Sequence, residues 1–132
     1  MKKSFLSILA GAIVLSLIVG CSKGYVSQKT VDSTTITLKA ERYPLIMGDN
    51  TLSIKVADSA GKSVSDAMVM ARYYMPPMPG MAPMEYNSSA QAKGEEYALT
   101  ANIPMAGGWK IDVTATQPRK PAVTATFNVD AR

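Results

Sequence analysis

From Ile36 onward, apolar residues recur at every second position. In TTITLKA (residues 34–40), Ile36, Leu38 and Ala40 alternate with threonine and lysine. In TLSIKVAD (51–58), Leu52, Ile54 and Val56 do the same. EYALTANI (96–103) carries Tyr97, Leu99, Ala101 and Ile103 on one parity. WKIDVTAT (109–116) carries Trp109, Ile111, Val113 and Ala115, and AVTATFNV (122–129) carries Val123, Ala125, Phe127 and Val129. A period of two marks a strand with one face in a core. AMVMARYY (67–74) is apolar on both parities up to Arg72, which predicts a strand covered on both sides, with Met68 and Met70 in the core. Turn chemistry separates these runs: Met47-Gly48-Asp49-Asn50, Ser59-Ala60-Gly61-Lys62, Ala106-Gly107-Gly108 and Gln117-Pro118-Arg119-Lys120-Pro121. No stretch of the domain has a helical period. Six strands, with a seventh near Arg42–Ile46, predict a small all-β domain built of antiparallel sheets. A sandwich is the first expectation and a closed barrel the second. The long connection from Met75 to Gly94 is expected at one end of it.

The N-terminus has a different character. Lys2 and Lys3 precede an uncharged apolar run from Phe5 to Gly20, the layout of a secretory signal. Sixteen residues fall short of the roughly 20 that span a bilayer. Ile18-Val19-Gly20-Cys21 resembles a bacterial lipobox. That resemblance implies cleavage after Gly20 and lipid on the Cys21 sulfur, the alternative being an uncleaved N-terminal anchor. More than one acyl chain holds a protein stably on a membrane. Ser22, in place of an aspartate, favours the outer membrane over the inner. The expected organisation is a signal peptide over 1–20, a lipidated cysteine with a polar flexible tether over 21–32, and a domain over 33–132.

Composition narrows the chemistry. Cys21 is the one cysteine, and lipid would consume it; histidine is absent. Disulfides, thiol chemistry and the commonest general base are thereby removed. Glu95 and Glu96 are adjacent, so on a strand they point to opposite faces and form no acid–base pair. An enzyme is not expected, nor a small-molecule substrate. Without Lys2 and Lys3, the 14 basic residues fall to 12 against 10 acidic. Only Arg119-Lys120 is clustered, too little for a nucleic-acid surface.

One segment stands apart. MPPMPGMAPM places Met75, Met78, Met81 and Met84 three residues apart among four prolines and a glycine. That much proline rules out a helix interior or a central strand. Thioethers are soft, neutral ligands suited to Cu(I) and Ag(I) and poor for hard cations. As a polyproline II rail, the segment would hold its sulfurs on one face, roughly 9 Å apart. Folded back at Pro79-Gly80, it could bring several sulfurs together. Met105 lies in a turn expected at the same end. Trp109 reads as a core anchor, or as an indole facing a bound cation. Methionines also plug sandwich ends and grip partners.

Two quoted stretches carry a family resemblance. MGDNTLSIKVADSAGKSVSDAMVMARYYMPPMPGM runs from a Gly-x-Asn start through a strand into Met-Pro-x-Met, and GEEYALTANIPMAGGWKIDVTAT ends in Met-Ala-Gly-x-Trp. Over about Ile36–Val129 the chain resembles the YtkA-like family and the related FixH-type domain. The resemblance implies an immunoglobulin-like β-sandwich in the bacterial cell envelope, often near heavy-metal export or oxidase assembly. Some relatives add histidines beside the methionines, and this chain has none.

The expectation is therefore a lipid-anchored envelope protein facing the periplasm. Its loop would bind Cu(I) or Ag(I) through Met75, Met78, Met81 and Met84, with Met105 and Trp109 as candidate support. Its partner would be an envelope efflux or oxidase-assembly protein. The alternative is a metal-free accessory module that uses the same loop as an apolar contact.

Overall fold

The computed structural model describes residues 24–132; Cys21 and the signal-like segment lie outside them. Among the described residues nine strands form two antiparallel sheets. They are β1 (Tyr25–Val31), β2 (Thr34–Ala40), β3 (Gly48–Ala57), β4 (Met68–Tyr74), β5 (Glu85–Ser89), β6 (Gln91–Lys93), β7 (Glu96–Ile103), β8 (Gly107–Thr116) and β9 (Val123–Ala131). One sheet runs β1-β2-β3-β7-β6 and the other β5-β4-β8-β9. The domain is an immunoglobulin-like sandwich, with the alternating residues of both inner faces as its core. Ile36, Leu38, Leu52, Ile54 and Ile103 from one sheet meet Val69, Trp109, Ile111, Val113 and Phe127 from the other, all fully buried.

The period-two runs fold as expected, each with its apolar parity inward. β4 differs. Val69, Ala71 and Tyr73 are buried, but Met68 and Met70 are 68% and 43% exposed on the outer face. The described residues form two layers, and none of them covers the outside of β4 at Met68 and Met70. Apolar residues on both parities had suggested a cover that this fold does not have.

The remaining differences fall on edges. Tyr25–Val31, expected as tether, forms edge strand β1, with Tyr25 opposite Ala40 and Val31 opposite Thr34. Glu85–Lys93, expected as loop, supplies the edge strands β5 and β6. These three strands leave most of their side chains in water, so their sequences carry no apolar alternation. The segment near Arg42–Ile46 is not a strand. Only Leu45 bridges to Ala131, because Pro44 has no N–H to offer a ladder. Backbone bonds from Leu45 and Met47 to the end of β9 hold the segment, and the Asn50 side chain adds to them, accepting from the Ile46 N–H at 2.9 Å and donating to the Ile46 carbonyl at 2.8 Å.

Candidate metal centre

β4 and β5 form a hairpin, and its loop is Met75–Met84. The sheet pairs Tyr73 with Tyr86 and Tyr74 with Glu85. The same register continues into the loop. The Met75 N–H donates to the Met84 carbonyl at 3.2 Å, and the Met81 N–H donates to the Met78 carbonyl at 3.2 Å. Pro79 and Gly80 are the central residues of the tip, with Gly80 at φ 80°. Proline first and a positive-φ glycine second is the chemistry of a type II turn. The spacing of three thus acquires a meaning. Met78 and Met81 are the corners of the turn, and Met75 and Met84 lie opposite each other three residues lower on each arm. The folded-back form is the one adopted, and the extended rail is not.

The two pairs differ in setting. Met75 is 9% exposed and Met84 half-buried, while Met78 and Met81 are 43% and 42% exposed. All four line one small gap with Pro76, Pro77, Ala82 and Pro83. Its volume is about 10 Å³, room for one water-sized occupant. The walls offer thioethers and proline rings, with no carboxylate. This donor set suits a soft monovalent cation. No cluster of three or more His, Cys, Asp or Glu side chains occurs among the described residues.

Met105 lies in the β7–β8 turn, half-buried against the core. It lines an open cleft of about 390 Å³ with Met75, Pro76, Met78, Ala106, Gly107 and Gly108. The expectation that this turn shares an end with the loop holds. Trp109 is 1% exposed, and its indole N–H donates to the Met105 carbonyl at 3.0 Å. Its ring lies 6.4 Å from both Tyr73 and Tyr86, which stack on each other at 5.6 Å. Trp109 is therefore a core anchor whose polar edge fixes the Met105 turn. Lys110 pairs with Tyr74, so Trp109 stands one step on, level with Met75. The methionine hairpin thus rises from an aromatic base, and sulfur packs well against aromatic rings.

Sequence reading gave Gly107 only a turn role. The structure gives it two further constraints. Its φ is 139°, and a Cβ there would stand 2.7 Å from the Met75 Cε. Gly107→Ala is expected to destabilise the domain by about 1–3 kcal/mol through its backbone and to push the Met75 methyl from its seat. Gly108 has open space around its Cβ position. Denaturant unfolding of Gly108→Ala beside Gly107→Ala checks this, with Gly108→Ala expected to change little. Tyr73 and Tyr86 were also missed. The available signal was their symmetric placement about Pro79-Gly80, visible only once the turn is known.

The outer side of the hairpin is clamped by charge. The Arg72 Nε lies 2.8 Å from Glu85 Oε1, its second amino group donates to Glu85 Oε2 at 2.9 Å, and its first lies 3.0 Å from Asp112 Oδ2. The guanidinium also covers the Tyr74 ring at 4.3 Å. Hydrogen bonding to Arg72 holds the Glu85 carboxyl below its usual value of 4.5, and the same contact raises Arg72. A lowered carboxylate pKa stabilises the fold fully above the unfolded value and loses that effect as pH falls through the folded one. Glu85→Gln should therefore lower stability at neutral pH by a constant amount. The gap from wild type should close only below about pH 4.5. Denaturation midpoints of the two proteins from pH 7 to pH 2.5 test this.

A two-sheet antiparallel sandwich with a methionine hairpin at one end places the domain in the immunoglobulin-like class. The profile of the YtkA-like family matches residues 28–114, and the chain belongs to that family. Two solved structures share the fold. The soluble domain of PmoD from a Methylocystis species is 13% identical, with a TM-score of 0.51 over 80% of this chain and 96% of that one. FetP from uropathogenic E. coli, recombinantly expressed in the periplasm, is 10% identical, with a TM-score of 0.52 over 82% and 95%. At these identities the likeness is one of fold. No curated protein matches the sequence.

Proposed function

We propose that this is an envelope protein that binds Cu(I) or Ag(I) as cargo and holds it for buffering or for transfer to an exporter or oxidase. The observation that carries the reading is the pairing of Met75 with Met84 and of Met78 with Met81 around one small gap. The four methionines line that gap, and its lining includes no carboxylate. Buried Met75 and half-buried Met84 supply the more fixed donors, and the exposed pair supplies donors that can swing toward an acceptor. Met105, across the cleft, is a further donor for a third sulfur during exchange. Trp109 serves as a positioning residue through the Met105 carbonyl. Binding and release need no proton transfer, so affinity should be flat across the pH range of an uncontrolled envelope. The protein acts as a binder and not as a catalyst, anchored through lipid on Cys21 and facing the periplasm.

A chelator competition tests the reading. The domain from Ser22 onward is titrated with Cu(I) under anaerobic, reducing conditions against a chromophoric chelator. One equivalent withdrawn from the chelator supports it, and none withdrawn at micromolar chelator overturns it. A metal-free contact role is the second reading, favoured by the exposure of Met78 and Met81 beside the open cleft. In that case leucine at the four positions would preserve partner binding.

A further inference from the structure

The chain enters the domain at the methionine end. Tyr25 opens β1 opposite Ala40, the last residue of β2, and Ala40 lies opposite Leu52 near the start of β3. Across the sandwich the Tyr25 hydroxyl donates to the Asn128 carbonyl at 3.1 Å. Asn128 pairs with Lys110, and Lys110 with Tyr74, the residue before Met75. The entry point and the hairpin base are therefore level. Two strand spacings along β9-β8-β4, about 10 Å, and the step between the sheets bridged by Tyr25 separate them.

The connection to the anchor is short. A Cβ on Gly24 would stand 2.7 Å from the Ala40 carbonyl oxygen, so the chain is already seated at Gly24. Only Ser22 and Lys23 separate it from Cys21, a reach of at most about 10 Å. The hairpin extends from Tyr74 to Pro79 beyond that level, up to about 16 Å at strand rise. Cys21 therefore lies no more than about 14 Å from Tyr25, within the length of the hairpin.

Exposed apolar residues gather at this end. Val26, Ile46, Met47, Met78, Met81 and Tyr86 are all well exposed there. Of the other large exposed apolar side chains among the described residues, Met68 and Met70 lie on the outer face of β4, toward the opposite end. Grouping of this kind marks a contact surface, whereas scattered single residues do not. Tyr25 and Tyr43, with rings 4.9 Å apart, and Tyr86 add the amphipathic aromatic rings that favour a membrane–water interface. Met75–Met84 carries no charge. The nearby charges Glu41, Arg42, Asp49, Lys110 and Arg132 are of mixed sign, so anionic lipid is not the attraction.

We propose that the domain stands on its methionine end, with the Met75–Met84 hairpin held against the lipid surface to which the N-terminus is anchored. Metal exchange then takes place at the lipid–water interface, with an acceptor embedded in that membrane. The orientation rests on the anchoring part of the proposed function and not on the metal reading; the place of metal exchange rests on both.

The test uses the full, processed chain in vesicles of phosphatidylethanolamine and phosphatidylglycerol, without metal. A fluorophore is placed on Ala82→Cys in the hairpin or on Ala60→Cys in the β3–β4 turn at the far end, and nitroxide-headgroup lipids are the quencher. Quenching several-fold stronger at 82 than at 60 is expected. Equal quenching, or stronger quenching at 60, overturns the orientation. A chain that does not float with the vesicles overturns the anchor. A failed chelator competition alongside normal quenching would remove only the metal reading.

Discussion

Replacing Met75, Met78, Met81 and Met84 together with leucine leaves the sandwich folded and removes Cu(I) binding. Leucine keeps the apolar volume and removes the sulfur, and volume-conserving apolar exchange costs little in a packed site. The loop's backbone is held by Pro79, Gly80 and the bonds at Met75 and Met81, none of which needs a thioether. Losing residues that only orient a ligand costs about 10–100-fold in metal affinity. Losing the ligands themselves should cost more. Single exchanges should separate the pairs. Met75→Leu removes a buried donor and should lower affinity most, whereas Met78→Leu and Met81→Leu should mainly slow transfer to an acceptor. Circular dichroism and denaturant midpoints close to wild type, beside lost chelator competition, are the expected pattern.

Trp109→Ala produces the largest loss of stability. The side chain is fully buried between Tyr73, Tyr86 and the opposite sheet. Removing a core aromatic of this size costs about 3–5 kcal/mol. Trp109→Phe is more informative. It keeps most of the packing and deletes the N–H that holds the Met105 carbonyl at 3.0 Å. Losing one hydrogen bond in a half-buried turn costs about 0.5–1.5 kcal/mol, and the β7–β8 turn is released. If Met105 donates sulfur during exchange, Trp109→Phe should also slow metal transfer while leaving equilibrium affinity close to wild type. Unfolding midpoints and transfer rates to a chelator read the two effects separately.

The same hairpin shows what a sequence can and cannot tell. Ile36, Leu52, Leu99, Ile111 and Phe127 declared their strands because each lies on an inner face, where burial enforces alternation. Tyr25–Val31 and Glu85–Lys93 stayed silent because edge strands satisfy their backbone on one side and expose both faces. Met68 and Met70 misled for the reverse reason, being apolar residues left in water on the outside of β4. At the site, the spacing of the four methionines was legible, and Pro79-Gly80 marked where the chain could reverse. Their pairing was not legible, since it depends on a register shared with Tyr73–Tyr86 and Tyr74–Glu85 across β4 and β5. Gly107 was hidden altogether, because its second constraint is the distant methyl of Met75.

The most direct test follows each methionine separately. The domain from Ser22 to Arg132 is labelled with carbon-13 at the methionine methyl groups and titrated with Ag(I), a diamagnetic and redox-inert stand-in for Cu(I). The methyls of Met75, Met78, Met81 and Met84 should shift together and saturate at one equivalent. Those of Met47, Met68 and Met70 should stay in place. Shifts spread evenly over all the exposed methionines, or none at one equivalent, would contradict a thioether site in the hairpin.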